Sequence, residues 1–573
     1  MDDEKIHPMW ITLLPIICLL CLIHSAGGVL CPNGCKCENE ILRANCSGAG
    51  IEVVPIQLNP ELHVMDLSQN KISQLHYTFT FYEKLYILDV SRNRVKNIGS
   101  GNFKTQKVLK FLNLSSNFID ALGKDTFEGL IQLTELDLSN NQLESIGANA
   151  FKDLHNLTIL KMNGNQLDYF EEGTFKVIPN LQALYLDDNS FIEISAELSD
   201  LIHLKVLSMA RNLIEMIEDE KVPNLHELQT LVLVQNLIQD IQPKGLDTMP
   251  NLDHLDLSDN NLTVLPTVQL AKLPKLVNLK LSGNKFNYLP AVAFRGLFHL
   301  KYLMLTRLEV LEGMDARTFV DNINLEKINL DYNYKIKTIP TRLFHGNPKL
   351  RYISIRYNAI KFLVATHFPL DQLEELRVGG NPLDCNCSMG WLWKILRENE
   401  IENGGNASYS RKSIDGSLLL IKRTIELKLD VNDVICETPE ELYNKKLVSA
   451  SQRQMDCSMS WMAIMSVVLT ILFILGIVIG VFFFIPKKKT NNRLDKEMPK
   501  IIQTSYNAPP LPPPRKSLPN HDSNNVERYI MPPILLHNRS MPMWDPYSQH
   551  CNGNGNIYEQ LNDHRDRPHI VYV

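Results

Sequence analysis

Apolar residues recur at a fixed spacing through the middle of the chain, in the pattern L-x-x-L-x-L-x-x-N-x-L. One clear copy has Leu133, Leu136, Leu138, Asn141 and Leu143 at these positions. Two leucines separated by one residue point to the same side of an extended chain, and the residue between them points to the other. Each copy therefore predicts one short β-strand with a buried side and an exposed side.

Fourteen copies of this pattern follow one another at intervals of 23 to 25 residues. They begin at Leu62, Leu85, Leu109, Leu133, Leu157, Leu181, Leu204, Leu228, Leu252, Leu276, Leu300, Leu325, Leu350 and Leu373. A single copy cannot bury its own leucines, so neighbouring copies must stack and share a core. The pattern predicts an α/β solenoid whose strands form one parallel sheet, with variable residues on its open side.

Two further columns of residues support this prediction. The asparagine of each copy stands where the chain must turn, and its amide can donate to and accept from neighbouring backbone groups. A phenylalanine column on the far side of the turns predicts a packed spine, with Phe103, Phe127, Phe151, Phe175, Phe294, Phe319, Phe344 and Phe368. The copy at Leu300 departs from the pattern, because Leu308 replaces the asparagine and the next turn carries an extra residue. We expect an irregularity near residues 305–337, caused either by a binding site or, more simply, by drift.

Two apolar segments flank the repeats. Residues 10–23 are too short to cross a bilayer and are followed by small residues, so residues 1–28 are predicted to be a secretory signal peptide. Acidic residues near the start weaken this prediction and leave an uncleaved anchor as the alternative. Residues 461–485 carry no charge and precede three lysines, which predicts a transmembrane helix with the N-terminal part outside. The chain is therefore expected to be a single-pass type I protein of the plasma membrane.

Eight cysteines would lie outside the membrane, in two sets of four at the two ends of the repeats. They are Cys31, Cys35, Cys37 and Cys46, then Cys385, Cys387, Cys436 and Cys457. An even number is expected for disulfides in an oxidising compartment, and spacing alone leaves three connectivities open for each set. A zinc site would need matching histidines or a C-x-x-C set beside the C-x-C clusters, and these are missing.

These features resemble the extracellular leucine-rich-repeat family of animals, over residues 31–457. The motif C-P-N-G-C-K-C, followed by Cys46, resembles the family's N-terminal cap, and N-P-L-D-C-N-C, followed by W-L-W, resembles its C-terminal cap. The resemblance implies a horseshoe with a concave parallel sheet, an N-terminal cap at 29–61, repeats at 62–380 with the last merging into the cap, and a C-terminal cap at 381–457. It implies the disulfides Cys31–Cys37, Cys35–Cys46, Cys385–Cys436 and Cys387–Cys457.

The exposed strand positions of the C-terminal third are rich in tyrosine and basic residues. Such residues dominate protein interfaces, so this part is the predicted ligand-binding surface, although an unused face is an equal alternative. The candidates are Tyr302, Met304, Arg307, Tyr332, Tyr352, Arg356, Tyr357 and Arg377. Candidate N-glycosylation sites are Asn45, Asn113, Asn156, Asn261 and Asn406, and a glycan on Asn113 would cover the strand face near the other end.

Residues 486–573 are rich in proline, asparagine and charge, and are predicted to be a disordered cytoplasmic tail. Its short motifs are candidate ligands for adaptor domains, with a merely soluble spacer as the alternative. Pro510, Pro513 and Arg515 fit an SH3 or WW ligand. Tyr529 and Tyr558 fit SH2 ligands once phosphorylated, and Tyr558 fits an endocytic signal as an alternative. The C-terminal Val573 fits a PDZ ligand.

Composition and motif content exclude several classes of function. The formal net charge of −6 offers no concentrated basic face, so no nucleic-acid partner is expected. No catalytic constellation stands outside the repeats, so we expect neither an enzyme nor a cofactor. The expected function is a recognition or adhesion receptor for an extracellular or cell-surface protein, with a homodimer as a further option. The alternative is a co-receptor that modulates another receptor in the same membrane.

Overall fold

The computed structural model describes residues 31–403, 427–455 and 461–484. The predicted signal peptide, Asn406, Cys457 and the predicted tail with its motifs lie outside these residues. The chain divides into two units, Met1–Gly476 and Ile477–Val573, and the first contains the repeats. Of the second unit the structure describes only the end of one helix.

The repeats form a parallel sheet, as the leucine pattern predicts. Its fourteen repeat strands are Val64–Asp66, Ile87–Asp89, Phe111–Asn113, Glu135–Asp137, Ile159–Lys161, Ala183–Tyr185, Val206–Ser208, Thr230–Val232, His254–Asp256, Asn278–Lys280, Tyr302–Met304, Lys327–Asn329, Tyr352–Ser354 and Glu375–Arg377. Each strand pairs with the next copy residue for residue, as Leu136 does with Leu160. Residues at equal positions of successive repeats therefore stand side by side, and the fold class is confirmed as a solenoid.

Both ends of the sheet are extended by the caps, which gives 17 strands among the described residues. The hairpin of Lys36–Glu38 and Arg43–Asn45 adds its second strand in parallel to Val64–Asp66. At the other end, Lys428–Leu429 pairs in parallel with Glu375–Arg377. Three further two-stranded sheets pair Met216–Ile217 with Asp240–Ile241, Tyr288–Leu289 with Gly313–Met314, and Leu383–Asp384 with Cys436–Thr438.

Each repeat strand is centred on the second leucine of the pattern. In the copy at Leu133 the strand is Glu135–Asp137, and Leu138 already lies in the following turn, although Leu133, Leu136 and Leu138 are all completely buried. The strand therefore ends earlier than the spacing suggests. The chain turns because Asn140, just before the recurring position of the turn amide, takes a left-handed conformation with φ 56°.

The turn asparagines form a ladder of hydrogen bonds along the sheet. Asn141 Nδ2 donates to the carbonyls of Leu114 at 3.1 Å and Leu138 at 2.9 Å, and Oδ1 accepts from the Ile119 N–H at 3.0 Å. The side chain is only 7% exposed, so it satisfies backbone groups that water cannot reach. The amide thus joins each repeat to the one before it.

The predicted phenylalanine spine is present on the far side of the core. Phe319 stacks between Phe294 and Phe344, with ring centroids 5.8 and 6.1 Å apart, and Phe344 continues to Phe368 at 6.3 Å. Each of these rings is nearly or fully buried. The spine and the leucines together form one continuous apolar core.

The expected irregularity lies in the turn ladder and leaves the sheet register intact. Leu308 is buried, and its backbone N–H donates to Asn333 Oδ1 at 2.7 Å. Asn333 in turn donates its own N–H to Asn358 Oδ1, also at 2.7 Å. The 25-residue copies therefore keep the ladder by using the N–H at the asparagine position itself. The copies from Leu62 to Leu252 use the N–H two residues later, and the copy at Leu350 uses both.

The helices lie mainly in the C-terminal cap. They are Thr267–Leu270, Gly390–Asn403, Gln452–Met455 and Trp461–Phe484, and the 3₁₀ helices are Thr78–Phe81, Ala196–Asp200, Ala365–His367, Cys387–Met389, Val431–Asp433, Glu440–Leu442 and Leu447–Ser449. Two tryptophans anchor Gly390–Asn403: Trp391 Nε1 donates to the Leu363 carbonyl and Trp393 Nε1 to that of Ala450.

Disulfides hold both caps. They join Cys31 to Cys37, Cys35 to Cys46 and Cys385 to Cys436, which are three of the four pairs that the family resemblance implies. Cys387 is also disulfide-bonded, and its expected partner Cys457 lies outside the described residues.

The last helix, Trp461–Phe484, covers nearly the whole of the second apolar segment and carries no charged residue. Its side chains are described over residues 465–479, where all are exposed. Over the described part of the chain, no helix is long and apolar enough to cross a membrane.

Candidate functional site

The open face of the sheet is the side that carries the residues on either side of the buried strand leucine, such as Glu135 and Asp137. Because the register is constant, each position along the repeat forms a column across the sheet. A column thus presents side chains about 4.8 Å apart, which is the spacing of neighbouring strands. The predicted ligand-binding residues occupy several such columns in the last repeats.

The structure separates these residues into two groups at opposite edges of the open face. Tyr302 and Tyr352 lie at the start of their strands. Tyr332 and Tyr357 lie in the turns that follow the strands, both in the left-handed conformation, with φ 60° and 53°. Met304 and Arg377, the last residues of their strands, lie between the two groups.

Tyr302 and Tyr352 line an open depression of about 450 Å³. Tyr302 is 40% exposed, and its ring is available to a partner. Tyr352 is more enclosed, because the Lys327 ammonium lies 4.2 Å from its ring centroid and the Arg377 guanidinium 5.5 Å from it. Burial raises the pKa of the Tyr352 hydroxyl above its ordinary value, so this group remains a neutral hydrogen-bond donor at physiological pH. The whole lining is Tyr302, Glu326, Lys327, Lys349, Arg351, Tyr352 and Glu374.

Tyr332 and Tyr357 form a stacked pair at the other edge. Their ring centroids are 4.7 Å apart and nearly parallel, with an angle of 8°. Gly380 occupies the equivalent position of the next repeat, at φ +71°, and a Cβ there would come within 2.3 Å of the Tyr357 ring. Glycine therefore makes room for Tyr357, while Tyr332 remains 39% exposed.

The predicted arginines already have partners within the chain. Arg307 Nη2 bonds both carboxylate oxygens of Asp259, at 3.0 and 3.1 Å, across the intervening repeat. Arg377 pairs with Glu375 of its own strand, with Nε donating at 2.6 Å. Arg307 and Arg377 stay partly exposed, so each can contact a partner only as a member of an ion pair.

Arg356 connects the sheet to the C-terminal cap. It is ion-paired with Asp433 and approaches Asp430, with Nε 3.3 Å from Oδ2. Asp430 also accepts the N–H groups of Val378 at 3.0 Å and Gly379 at 2.7 Å. Since its side chain is only 20% exposed, Arg356 has a structural role in this region.

A partly buried carboxylate supports the same edge. Asp331 Oδ1 accepts from the Ser354 hydroxyl at 2.6 Å and from the Arg356 N–H at 2.7 Å. Burial raises the pKa of Asp331 above its ordinary value, against these hydrogen bonds, which favour the ionised form. The carboxylate thereby holds the turn that carries Arg356 and Tyr357.

The repeated part of the chain matches a known protein family. The model described as leucine rich repeat matches residues 83–143, 131–191, 202–262, 226–286, 250–309, 274–334 and 323–383, which together exceed half of the chain. The chain belongs to the leucine-rich-repeat family.

Individual relatives of this leucine-rich-repeat chain match only in part. The human oligodendrocyte-myelin glycoprotein is 32% identical over 84 residues, which are 14% of this chain and 19% of the relative. The pig NT-3 growth factor receptor is 29% identical over 133 residues, 23% of this chain and 15% of the relative. The chain thus spans about a fifth or less of the length of these relatives.

Among solved structures, the Drosophila Toll–Spatzle complex contains a chain of the same fold. The TM-score is 0.52 at 19% identity, and the match covers 71% of this chain and 63% of that chain. At this identity the likeness concerns the fold alone.

Two of the candidate glycosylation sites share one column of the open face. Asn45 pairs with Asp66, Asp66 with Asp89, and Asp89 with Asn113, so both asparagines occupy the same strand position. Asn156 and Asn261 lie outside the strands. Glycans on the first pair would therefore stand over the N-terminal end of the sheet, far from the tyrosines.

Sequence reasoning missed the charged residues of the depression. Lys349, Glu326 and Arg351 lie just before the strands, outside the positions from which the surface was predicted. A signal was nevertheless present, because aligning the second position of the last four repeats gives alternating charges. These residues are Lys301, Glu326, Arg351 and Glu374.

Proposed function

We propose that this chain is a cell-surface receptor that binds a protein partner through the open face of its last repeats. The observation that carries the proposal is the continuous register of the sheet, which gathers Tyr302, Tyr332 and Tyr352 from three repeats on one face. Fourteen strands at about 4.8 Å form a face of roughly 65 Å, which suits a protein partner. Tyrosines anchor interfaces because they bury a large area at low entropic cost.

The relatives support this class of function. One relative is named a receptor for the growth factor NT-3, and the Toll fold is seen in complex with Spatzle. Leucine-rich-repeat proteins commonly act as interaction modules, and the present chain offers the same kind of sheet. A recognition or adhesion role follows more readily from these features than an enzymatic one.

The proposed location is the plasma membrane, with the repeats outside. The uncharged segment at 461–485 would span the bilayer, and the lysines that follow it, Lys487–Lys489, would remain in the cytoplasm. The tail would then dock adaptors through Pro510, Pro513 and Arg515, through phosphorylated Tyr529 or Tyr558, and through Val573.

Proximity labelling on living cells tests the proposal. The full-length chain, tagged at its extracellular end, would be expressed in one cell population and mixed with untagged cells. Labelling of a defined protein on the opposing cells would support a recognition or adhesion receptor. Labelling confined to the same membrane would indicate a co-receptor, or a homodimer if the labelled protein is this chain. Labelling no different from that of a tagged membrane anchor alone would contradict the proposal.

Matched alanine variants locate the surface. Replacement of Tyr302, Tyr332 and Tyr352 together is expected to reduce partner labelling at least tenfold. Replacement of Tyr169, Tyr288 and Tyr443 removes three tyrosines that are at least as exposed but lie off the repeat strands, and should leave labelling unchanged. Equal effects from both sets would exclude the open face as the contact surface.

A further inference from the structure

The depression beside Tyr302 and Tyr352 differs from the rest of the open face in its charges. Along its second-position column, Lys301 pairs with Glu326 at 2.9 Å and Arg351 with Glu374 at 3.1 Å. Each positive charge in this column is thus followed by a negative one in the next repeat. The column is neutral as a whole, because the two charges within each ion pair cancel.

Two lysines on either side of this column have no such compensation. Lys327 lies over the Tyr352 ring, and Lys349 Nζ donates to the neutral Asn324 Oδ1 at 2.6 Å. Within the described ranges, neither lysine has a carboxylate within ion-pairing distance. Both line the same depression, which therefore carries an excess of positive charge beside two aromatic rings.

We infer that this depression binds a carboxylate side chain of the protein partner, between Lys327 and Lys349, with an apolar neighbour against Tyr302. The inference rests on the proposed function and names the chemistry of its contact site. A lysine ammonium has three donor hydrogens, so each can hold a carboxylate oxygen without giving up its present contact. Tyr302 supplies exposed apolar area next to the charge.

The carboxylates at the border of the depression favour a single acidic side chain over a polyanion as its ligand. Glu326 and Glu374 border the same depression and are already paired with Lys301 and Arg351, so an extended chain of sulfates or phosphates would meet only a short uncompensated positive stretch. One carboxylate can approach the two lysines while a neutral flanking segment passes the glutamates. The site therefore favours an acidic residue in a protein segment over a sulfated polysaccharide.

Charge reversal gives a direct test on the full-length chain at the surface of cells. The probe is a random dodecapeptide library displayed on phage, with surface expression of each variant measured through a tag. On the unaltered chain, selected peptides should carry Asp or Glu beside an apolar residue. On the double variant Lys327→Glu with Lys349→Glu, these peptides should bind about tenfold less, and new selections should carry Lys or Arg instead.

A matched control comes from an earlier repeat. Lys275 occupies the same repeat position as Lys349 and likewise donates to an asparagine of the preceding repeat, Asn251, at 2.6 Å. It does not line the depression. Lys275→Glu should leave peptide selection unchanged. If the double variant fails to reach the surface, Lys327→Gln with Lys349→Gln removes the charge without reversing it and should give the same loss.

Three results would overturn the inference. The first is selection of the same peptides by the unaltered chain and the double variant. The second is binding of heparin, measured in parallel, that depends on both lysines while no acidic peptide is selected. Partner labelling that disappears with the tyrosine variants but survives the lysine variants would reject this inference and leave the proposed function standing.

Discussion

At the scale of single residues, the buried polar side chains of this solenoid form hydrogen bonds with the backbone. The turn amides provide hydrogen-bond partners for backbone groups that the turning chain leaves unpaired. Asn141 has three donor contacts, to Leu114, Leu138 and Ser139, besides accepting from Ile119. Its removal leaves several buried peptide groups without a partner, which costs more than the loss of an exposed bond.

Asn141→Ala should therefore lower the free energy of unfolding by about 3 kcal/mol. Gln142→Ala changes the exposed neighbour and should stay within about 0.5 kcal/mol of the unaltered chain. Chemical denaturation of the purified chain, followed by circular dichroism, measures both. Equal destabilisation by the two changes would argue against the ladder as the source of the effect.

His367 gives a second prediction at this scale, on pH dependence. It is 8% exposed, and burial lowers its pKa below the ordinary value of 6.5. The unfolded chain therefore binds a proton more readily as the pH falls below 6.5, so acidification should reduce stability. His367→Asn keeps an acceptor for the Val364 N–H but cannot be protonated there. Its thermal midpoint should fall less than that of the unaltered chain between pH 7 and pH 5; an identical fall would contradict this account.

At the scale of elements, the C-terminal cap is attached to the sheet by side-chain contacts, while its disulfide Cys385–Cys436 closes the cap itself. Asp430 accepts two backbone N–H groups at the end of the last repeat strand and lies next to Arg356. Because one carboxylate of the cap accepts both of these backbone N–H groups, the cap and the final repeat should open together.

Asp430→Ala should speed hydrogen exchange at the Val378 and Gly379 amides by at least tenfold, because both lose their acceptor. Asp371→Ala alters an exposed carboxylate just before the last repeat and serves as the control. Exchange measured by mass spectrometry on the full-length chain gives the comparison. Unchanged protection in the Asp430 variant would show that other contacts hold the cap.

The elements also show what the sequence can and cannot predict. The strands, the turn amides and the phenylalanine spine follow from periodicity, because each depends on residues within a single repeat. Contacts such as Lys301 with Glu326 depend on alignment of neighbouring repeats, and Arg356 with Asp433 joins residues 77 positions apart. The early end of each strand and the altered ladder at Leu308 required backbone geometry that spacing does not contain.

At the scale of the whole molecule, the open face is divided between candidate glycans and exposed aromatic residues. Asn45 and Asn113 lie at one end of the sheet and the tyrosines at the other. Removing the sequon with Asn113→Gln is therefore expected to leave partner binding unchanged, whereas a new glycan near Tyr302 should block it.

Lys280→Thr places such a glycan, because Asn278 would then head an N-x-T triplet. Asn278 pairs directly with Tyr302 in the sheet. Partner labelling should fall at least tenfold, and a glycosidase-sensitive mass shift should confirm the modification. Lys280→Ala removes the ion pair with Asp256 without creating the triplet, and should bind normally. Normal binding by a fully glycosylated variant would exclude this end of the face.

The constant register also fixes the distance between any two repeats along the sheet. Every repeat advances the chain by one strand spacing, about 4.8 Å, regardless of its sequence. Deleting one complete repeat between the two ends, such as residues 157–180, should bring Asn113 and the depression closer together by one strand spacing, while both caps remain intact. Evolution or design could therefore adjust the reach of such a chain in discrete steps, without redesigning the surface at either end.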